Sequence, residues 1–362
     1  MMPINKRLKR ELKKNFAKYF FIGLVLFMGI TIISAFFTAT DGIMSTIESQ
    51  QSDCNIEDAN VTLVSQLSDD NISRLHEIGI NDLEDTSYCD VTALDDSDYT
   101  MRVFRVRDSV DKLSLIEGEL PANDKQIVLE SKTASAKDLS VGDEIDVDGK
   151  NYTLSGIVAV VDYNNVLQTV SSGVSNLKTF GLGFVSKQAF DGLDSAKMTI
   201  QYSLTAEDEQ SIDDAYNYLM DEEIAVNILK QSDNPRIKSI SDKTNTLKAE
   251  VTLISVVFVL LMVFIFYAMT SASVEKDSNL IGTFFSMGYT RWEIIQHYVR
   301  LPLIITLIGS VLGMITGSLL FAEPIGKITY STYSLPTFSG KVNLYLIIMC
   351  CVIPLIIQFI IN

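Results

Sequence analysis

YFFIGLVLFMGITIISAFFTA, residues 19–39, is a run of 21 residues without a charge. Wound as a helix it is about 31 Å long, close to the roughly 30 Å thickness of a bilayer's hydrocarbon core. Ahead of it stand Lys6, Arg7, Lys9, Arg10, Lys13, Lys14 and Lys18 against the single acid Glu11. Such a basic flank holds the adjoining end of a span in the cytoplasm. The competing reading is a cleaved signal peptide, whose apolar core is about 7–15 residues and ends at a small-residue cleavage site. This run is longer, no clean A-x-A site follows, and Asp41 arrives without a break in helical character. The sequence predicts an uncleaved span over residues 19–40, behind a basic cytoplasmic segment, 1–18.

Three more uncharged runs follow, at 251–272, 301–322 and 342–361. Parity then puts 41–250 outside, 273–300 inside, 323–341 outside and the C-terminus inside. The loop 273–300 adds no vote of its own, because Lys276, Arg291 and Arg300 are balanced by Glu275, Asp277 and Glu293. Pro302 and Pro354 fall within apolar helices, which membranes tolerate when neighbouring groups re-satisfy the freed carbonyl. In the third run Gly309, Gly313 and Gly317 share one helix face, beside Ser310 and Ser318. Glycines four apart let another backbone approach closely, so three in register favour a packing face over glycine's ordinary abundance in membrane helices, without specifying the partner helix.

Charge is segregated in the same way. Residues 42–250 hold 39 of the 45 acids and 17 of the 29 bases, a net of −22; the rest carries +6. An acidic, water-soluble domain has been inserted into an apolar frame. Its surplus acid is either a surface for cations or cationic peptides or, as is usual for solvated charge, a solubilising exterior. Strand-like runs lie at 61–65, 99–106, 126–130, 144–148 and 152–161, with Asp148-Gly149 as a hairpin turn between the last two. A helix near 69–78 puts Leu75 and Ile78 on one face, and Thr205 with Asp208 reads as a capping box opening another. Arg105 and Arg107 alternate with Val106 and read as one strand face, near Arg102. Helix from about Arg236 meets no breaker before the second span, a stalk whose partner is the segment 43–52. The fold class is an α-helical membrane protein with four transmembrane helices and an α+β extracytoplasmic domain inserted between helices 1 and 2.

Reactive chemistry is sparse. There is no GxxxxGK[ST] loop, no HExxH and no GxSxG, so the chain is not expected to be an enzyme or to hydrolyse nucleotide alone. His76 and His297 fall on opposite sides of the membrane. No Cys/His spacing suggests a metal. Cys54 and Cys89 are permitted to bridge outside the cell, but without a dense cysteine framework two unpaired small residues are the favoured reading.

The inner loop is more informative. Within EKDSNLIGTFFSMGYTRWEIIQHYVR, 275–300, the residues Leu280, Ile281, Phe284, Phe285 and Met287 make an apolar face at helical spacing. Gly288 supplies the positive-φ stop that ends a helix, and Thr290-Arg291-Trp292-Glu293 is a capping box that opens the next. Helix, tight turn, helix is therefore expected at the membrane face, where the bland alternative is an interfacial helix that pads the loop.

This stretch resembles the signature of the FtsX-like (MacB-type) permeases of ABC transporters. In that family a Glu begins the loop, an aliphatic-Gly pair follows, and a Gly-[Ala/Tyr]-[Thr/Ser]-Arg turn precedes the third span. Here those positions are Glu275, Ile281-Gly282 and Gly288-Tyr289-Thr290-Arg291. The order of parts resembles the family too, as does the segment 120–158. The resemblance implies a coupling helix seated on a separate cytoplasmic ATPase, which would hold the ATP and magnesium. Leu280, Ile281, Phe284, Phe285 and Met287 would form the docking face and Gly288 to Arg291 the rigid turn. It also implies a second permease module, a homodimer partner or the second half of a longer chain, in contact with membrane lipid and not with nucleic acid. The expected location is a bacterial plasma membrane with both termini cytoplasmic. Two departures stand out: Lys276-Asp277-Ser278-Asn279 replaces a more basic loop, and no basic tail follows the fourth span. The second would suit the first half of a two-module permease, or a truncated product. Export or extraction of amphiphilic peptides or lipoproteins is the implied function. The alternatives are a mechanical regulator of a cell-wall hydrolase or sensor kinase, and a receptor or scaffold outside the ABC class.

Overall fold

A computed structural model describes residues 10, 12–94, 96–194, 197–338, 340 and 342–361. Lys6, Arg7, Lys9 and Glu11 of the basic flank lie outside the described residues. The chain forms two compact units. A helical unit comprises Met1–Ile43, Thr244–Ile328 and Ser339–Asn362; a sheet unit comprises Met44–Lys243 and Thr329–Phe338.

Helix α1 runs over Phe16–Cys54. In the sheet unit, β1 (Ala59–Leu63), α2 (Asp69–Ile78) and β2 (Ile80–Asp85) come first, and β10 (Met198–Ala206), α5 (Glu209–Asp221) and β11 (Ala225–Lys230) come last. Their strands lie antiparallel in the order β11-β1-β10-β2. Two interleaved β-α-β units thus make one sheet, the split β-α-β arrangement. Leu75 of α2 and Ile212, Ala215 and Leu219 of α5 bury against Val61, Leu63 and Leu204 of that sheet. Each helix turns its periodic apolar residues inward and its acids to water.

Between β2 and β10 the chain builds β3 (Tyr88–Ala93), β4 (Asp96–Arg105), β5 (Ser114–Gly118), β6 (Gln126–Glu130), α3 (Ser131–Ala136), β7 (Glu144–Val147), β8 (Lys150–Ala159), β9 (Phe180–Val185) and α4 (Lys187–Asp191). These strands are ordered β3-β4-β9-β6-β8-β5, with β4 parallel to β9 and β6 parallel to β8. Alternation along β4 serves two cores: Met101 and Val103 face one cluster, Phe104 the other. Asp148 and Gly149, at φ 54° and 74°, make the hairpin turn between β7 and β8.

Two expectations change. Thr205 does not cap α5: it lies in β10 opposite Asp82, so strand pairing has taken it. Asp208 caps instead, its carboxylate accepting from the Ser211 N–H at 2.8 Å. Arg105 and Arg107 do not share a strand face, because β4 ends at Arg105 and Arg107 turns inward. All three arginines are structural. Arg102 holds Asp90 through two bonds of 2.8 Å and lies 3.9 Å over the Tyr88 ring. Arg105 reaches Glu84 at 3.2 Å, and buried Arg107 donates to Asp162 at 2.6 Å. Cys54 and Cys89 are free thiols, one 3.0 Å from the Ser114 hydroxyl and the other 3.9 Å from the Asp194 carbonyl oxygen.

The helical unit holds α6 (Pro235–Lys276), α7 (Ser278–Ser286) and α8 (Arg291–Thr316), which passes through a π-turn at Gly317–Phe321 into α9 (Ala322–Thr329). Then α10 (Leu344–Ile347) passes through a second such turn into α11 (Ile353–Ile361). Residues of α1 and α6 fall in both units. Phe16–Cys54, Pro235–Lys276, Arg291–Thr329 and Leu344–Ile361 are each long and apolar enough to cross a membrane. Leu26, Ile30 and Phe37 of α1 bury with Met262 and Phe266 of α6, Leu301 of α8, and Leu346 and Cys350 near the C-terminus.

The glycine row of α8 packs on α1. A Cβ on Gly309 would sit 3.2 Å from the Gly23 carbonyl oxygen, and one on Gly313 would sit 2.8 Å from that of Phe27. One on Gly317 would overlap Ser34 and the Thr31 carbonyl. The Thr38 hydroxyl donates to Ser318 at 2.9 Å across the same seam. Small residues and short polar bonds are what bring helices together where lipid gives no hydrophobic drive.

Residues 329–338 join the sheet unit through Ser334. Its N–H donates to the Asn164 carbonyl at 2.7 Å, its carbonyl accepts from the Asn164 side chain at 2.8 Å, and its hydroxyl accepts from the Val160 N–H at 3.0 Å.

Candidate functional site

The loop between the second and third long helices is built almost entirely by local sequence. Helix α6 ends at Lys276, with Glu275 exposed on its last turn. Asp277 follows, accepting from the Tyr298 hydroxyl of α8 at 2.9 Å, and α7 begins at Ser278. At the far end of α7 the Gly288 N–H donates to the Phe285 carbonyl at 3.0 Å, and the Tyr289 N–H to that of Phe284 at 3.1 Å. With Gly288 at φ 85°, this is a Schellman motif, which satisfies the last carbonyls of the helix. The hydrophobic contact that accompanies such a motif is present as well: the Phe284 and Tyr289 rings meet edge-on at 5.6 Å.

One residue later Thr290 caps α8. Its hydroxyl accepts from the Glu293 N–H at 3.4 Å, while the Glu293 carboxylate accepts from the Thr290 N–H at 2.9 Å. A Schellman motif and a capping box therefore abut, and little conformational freedom is left between α7 and α8. No residue of α7 is buried. Phe285 is 46% exposed, Met287 65% and Trp292 57%. Leu280, Ile281 and Phe284 are half-buried, Gly282 and Arg291 are exposed, and no atom lies within 4 Å of a Cβ placed on Gly282.

The structure thus gathers Leu280, Ile281, Phe284, Phe285 and Met287 on or beside one short helix, and Gly288, Thr290 and Arg291 at its turn. Gly309, Gly313 and Gly317 lie elsewhere, on the α1 seam. Sequence reading missed the Phe284–Tyr289 ring contact, for which the aromatic Tyr289 directly before the capping residue Thr290 was the available signal. It also missed the Asp277–Tyr298 bond, which joins residues 21 apart and leaves no sequence signal.

A second ionisable set lies in the sheet unit. Glu57, Arg107, Asp111 and Asp162 are all buried. Asn60 and Ser203 donate to Glu57 at 2.7 and 2.6 Å, and the Glu57 N–H donates to Asp111 at 2.8 Å. Burial and the charge of Asp162 push the Glu57 carboxyl up, and burial with Glu57 and Asp162 pushes Asp111 well up. Among the described residues no group of three or more His, Cys, Asp or Glu is placed to hold a metal.

Residues 252–361 match the FtsX-like permease C-terminal family. This chain carries an FtsX-like permease domain. Together with the four helices long and apolar enough to cross a membrane, that match supports a multi-pass membrane protein. No curated protein matches the chain. Among solved structures it is similar to the extracellular domain of the noncanonic ABC-type transporter YknZ from Gram-positive bacteria. That likeness has 12% identity and a TM-score of 0.30, and covers 46% of this chain and 100% of that one.

Proposed function

We propose that this FtsX-like permease couples ATP binding and hydrolysis on a separate cytoplasmic ATPase to movement of its sheet unit outside the membrane, for export or extraction of an amphiphilic peptide or lipoprotein. The observation that carries the reading is α7. A short helix that keeps Phe285 and Met287 in solvent, yet is fixed to α8 through two abutting caps, is suited to receive a partner and to pass its displacement to a span. Apolar side chains clustered and left exposed on a rigid element, unlike single scattered ones, mark an interaction surface. The basic segment ahead of α1 supports a cytoplasmic N-terminus, and hence a cytoplasmic α7. Ser334 supports the same topology: 329–338 and 44–243 share one unit, as they must if an even number of crossings separates them.

A second module, either another copy or a further permease chain, would complete the assembly in a bacterial plasma membrane. Mechanical regulation of a cell-wall hydrolase or sensor kinase is the second reading, supported by α1 and α6, which carry residues of both units without a helix break. Co-purification of the chain with its ATPase tests the docking claim. Phe285→Asp is the cleaner variant, because Phe284 also packs on Tyr289. Loss of the complex in Phe285→Asp is expected; an intact complex in both Phe285→Asp and Phe284→Asp would overturn the proposal.

A further inference from the structure

A polar cavity of about 390 Å³ lies in the helical unit where the segment ahead of α1 meets the end of α6 and the first turns of α8. Among the described residues Arg10, Lys14, Lys18 and Lys276 line it, against the one carboxylate of Asp277. That carboxylate already accepts from Tyr298 at 2.9 Å. Lys18 donates to the Ser273 hydroxyl at 2.8 Å and the Met269 carbonyl at 3.3 Å, which fixes its ammonium at the cavity wall. Among the described residues no ion pair involves Arg10, Lys14 or Lys276. Three exposed cations and one anchored cation therefore converge on a space of ligand size.

The level of the cavity identifies its occupant. Lys18 immediately precedes the uncharged run 19–39, so the cavity sits at the edge of the hydrocarbon, the depth of lipid phosphates whichever leaflet this is. Basic pockets between membrane helices at this depth hold anionic head groups. Arg and Lys supply the charge-assisted donors that a phosphate oxygen accepts.

We infer that this cavity binds the phosphate head group of an anionic phospholipid, which bridges the entry of α1 to the end of α6 and the start of α8. The inference does not depend on α7 docking an ATPase. It sets the α6–α7 junction beside a lipid phosphate, so lipid charge acts directly on the root of the loop.

The test is native mass spectrometry of the purified full chain with phosphatidylglycerol, phosphatidylcholine or inorganic phosphate. Lys14→Gln/Lys276→Gln is compared with Lys13→Gln, whose side chain is exposed in the same segment but does not line the cavity. Retention of phosphatidylglycerol over phosphatidylcholine is expected, falling roughly tenfold in the double variant and little in Lys13→Gln. Equal loss in Lys13→Gln would reduce the effect to general surface charge and overturn the site. So would binding of inorganic phosphate without preference for the anionic lipid, or unchanged retention in the double variant.

Discussion

A Cβ added to Gly313 of α8 would lie 2.8 Å from the carbonyl oxygen of Phe27 in α1, closer than any backbone oxygen tolerates a carbon. The Gly313 carbonyl in turn accepts from the Ser34 hydroxyl of α1 at 3.4 Å. The two helices touch through backbone. Gly313→Val is therefore expected to destabilise the helical unit by about 1–3 kcal/mol, the usual cost of forcing atoms into a packed seam. Thermal unfolding in detergent measures it, with Gly282→Ala as the comparison, since open space surrounds that position.

Gly288 is constrained by conformation and not by neighbours. At φ 85°, with nothing within 4 Å of its missing Cβ, it has room for a side chain but a backbone that L-residues disfavour. Gly288→Ala should cost about 1–2 kcal/mol of local order. Hydrogen exchange at Gly288 and Tyr289 should rise, because their N–H groups close the Schellman bonds. Unchanged protection would show that the turn is held by something other than the αL residue.

Thr290→Ala removes the hydroxyl half of the capping box that opens α8, with an expected loss of about 1 kcal/mol. Thr290→Ser keeps the acceptor and should restore it. If coupling runs through this junction, ATPase stimulation by the assembled transporter falls in Thr290→Ala and recovers in Thr290→Ser.

The buried acids of the sheet unit set a pH dependence whose sign follows from their raised pKa. Below the ordinary carboxylate range of about 4, Glu57 and Asp111 are protonated folded and unfolded alike, and the cluster costs nothing. As pH rises, the unfolded chain releases protons that the folded cluster keeps, so stability is lost until the folded pKa is passed. Glu84 opposes this trend: burial would raise it, but the Ser109 hydroxyl and backbone and Arg105 hold it down overall. The comparison is therefore with Asp111→Asn, which keeps the acceptor for the Glu57 N–H and tolerates the φ of 52°. The variant should gain stability over the parent more at pH 8 than at pH 5. Parallel pH profiles would mean that Asp111 carries no net charge penalty.

The four apolar helices and the sheet-rich region between the first two were legible because each rests on a local property: an uncharged run of bilayer length, or alternation between turn residues. The same holds for Gly288 and the Thr290–Glu293 box, whose partners lie within five residues. What escaped is non-local. The glycine row announces a close approach but not α1, whose contribution is mainly carbonyl oxygens that every residue possesses. Strand β9, FGLGFV, is hidden by glycines that β-propensity disfavours; a Cβ on Gly183 would meet Ile127 and Met101 at 2.9 Å. Thr205 and Arg107 misled because a local pattern was overruled by strand pairing in one case and by a buried partner, Asp162, in the other.

Ser334 has a consequence for biosynthesis. The sheet unit is nearly complete by Lys243, yet the partner of the Val160 N–H and one of the acceptors of the Asn164 side chain are made more than ninety residues later, after another two long apolar helices. A nascent chain that has delivered 44–243 carries a vacancy at the end of β8, which is filled only when 329–338 arrives. Maturation of this unit is thus timed by insertion of the third span, and a ribosome-stalled intermediate would expose that gap to folding factors and proteases.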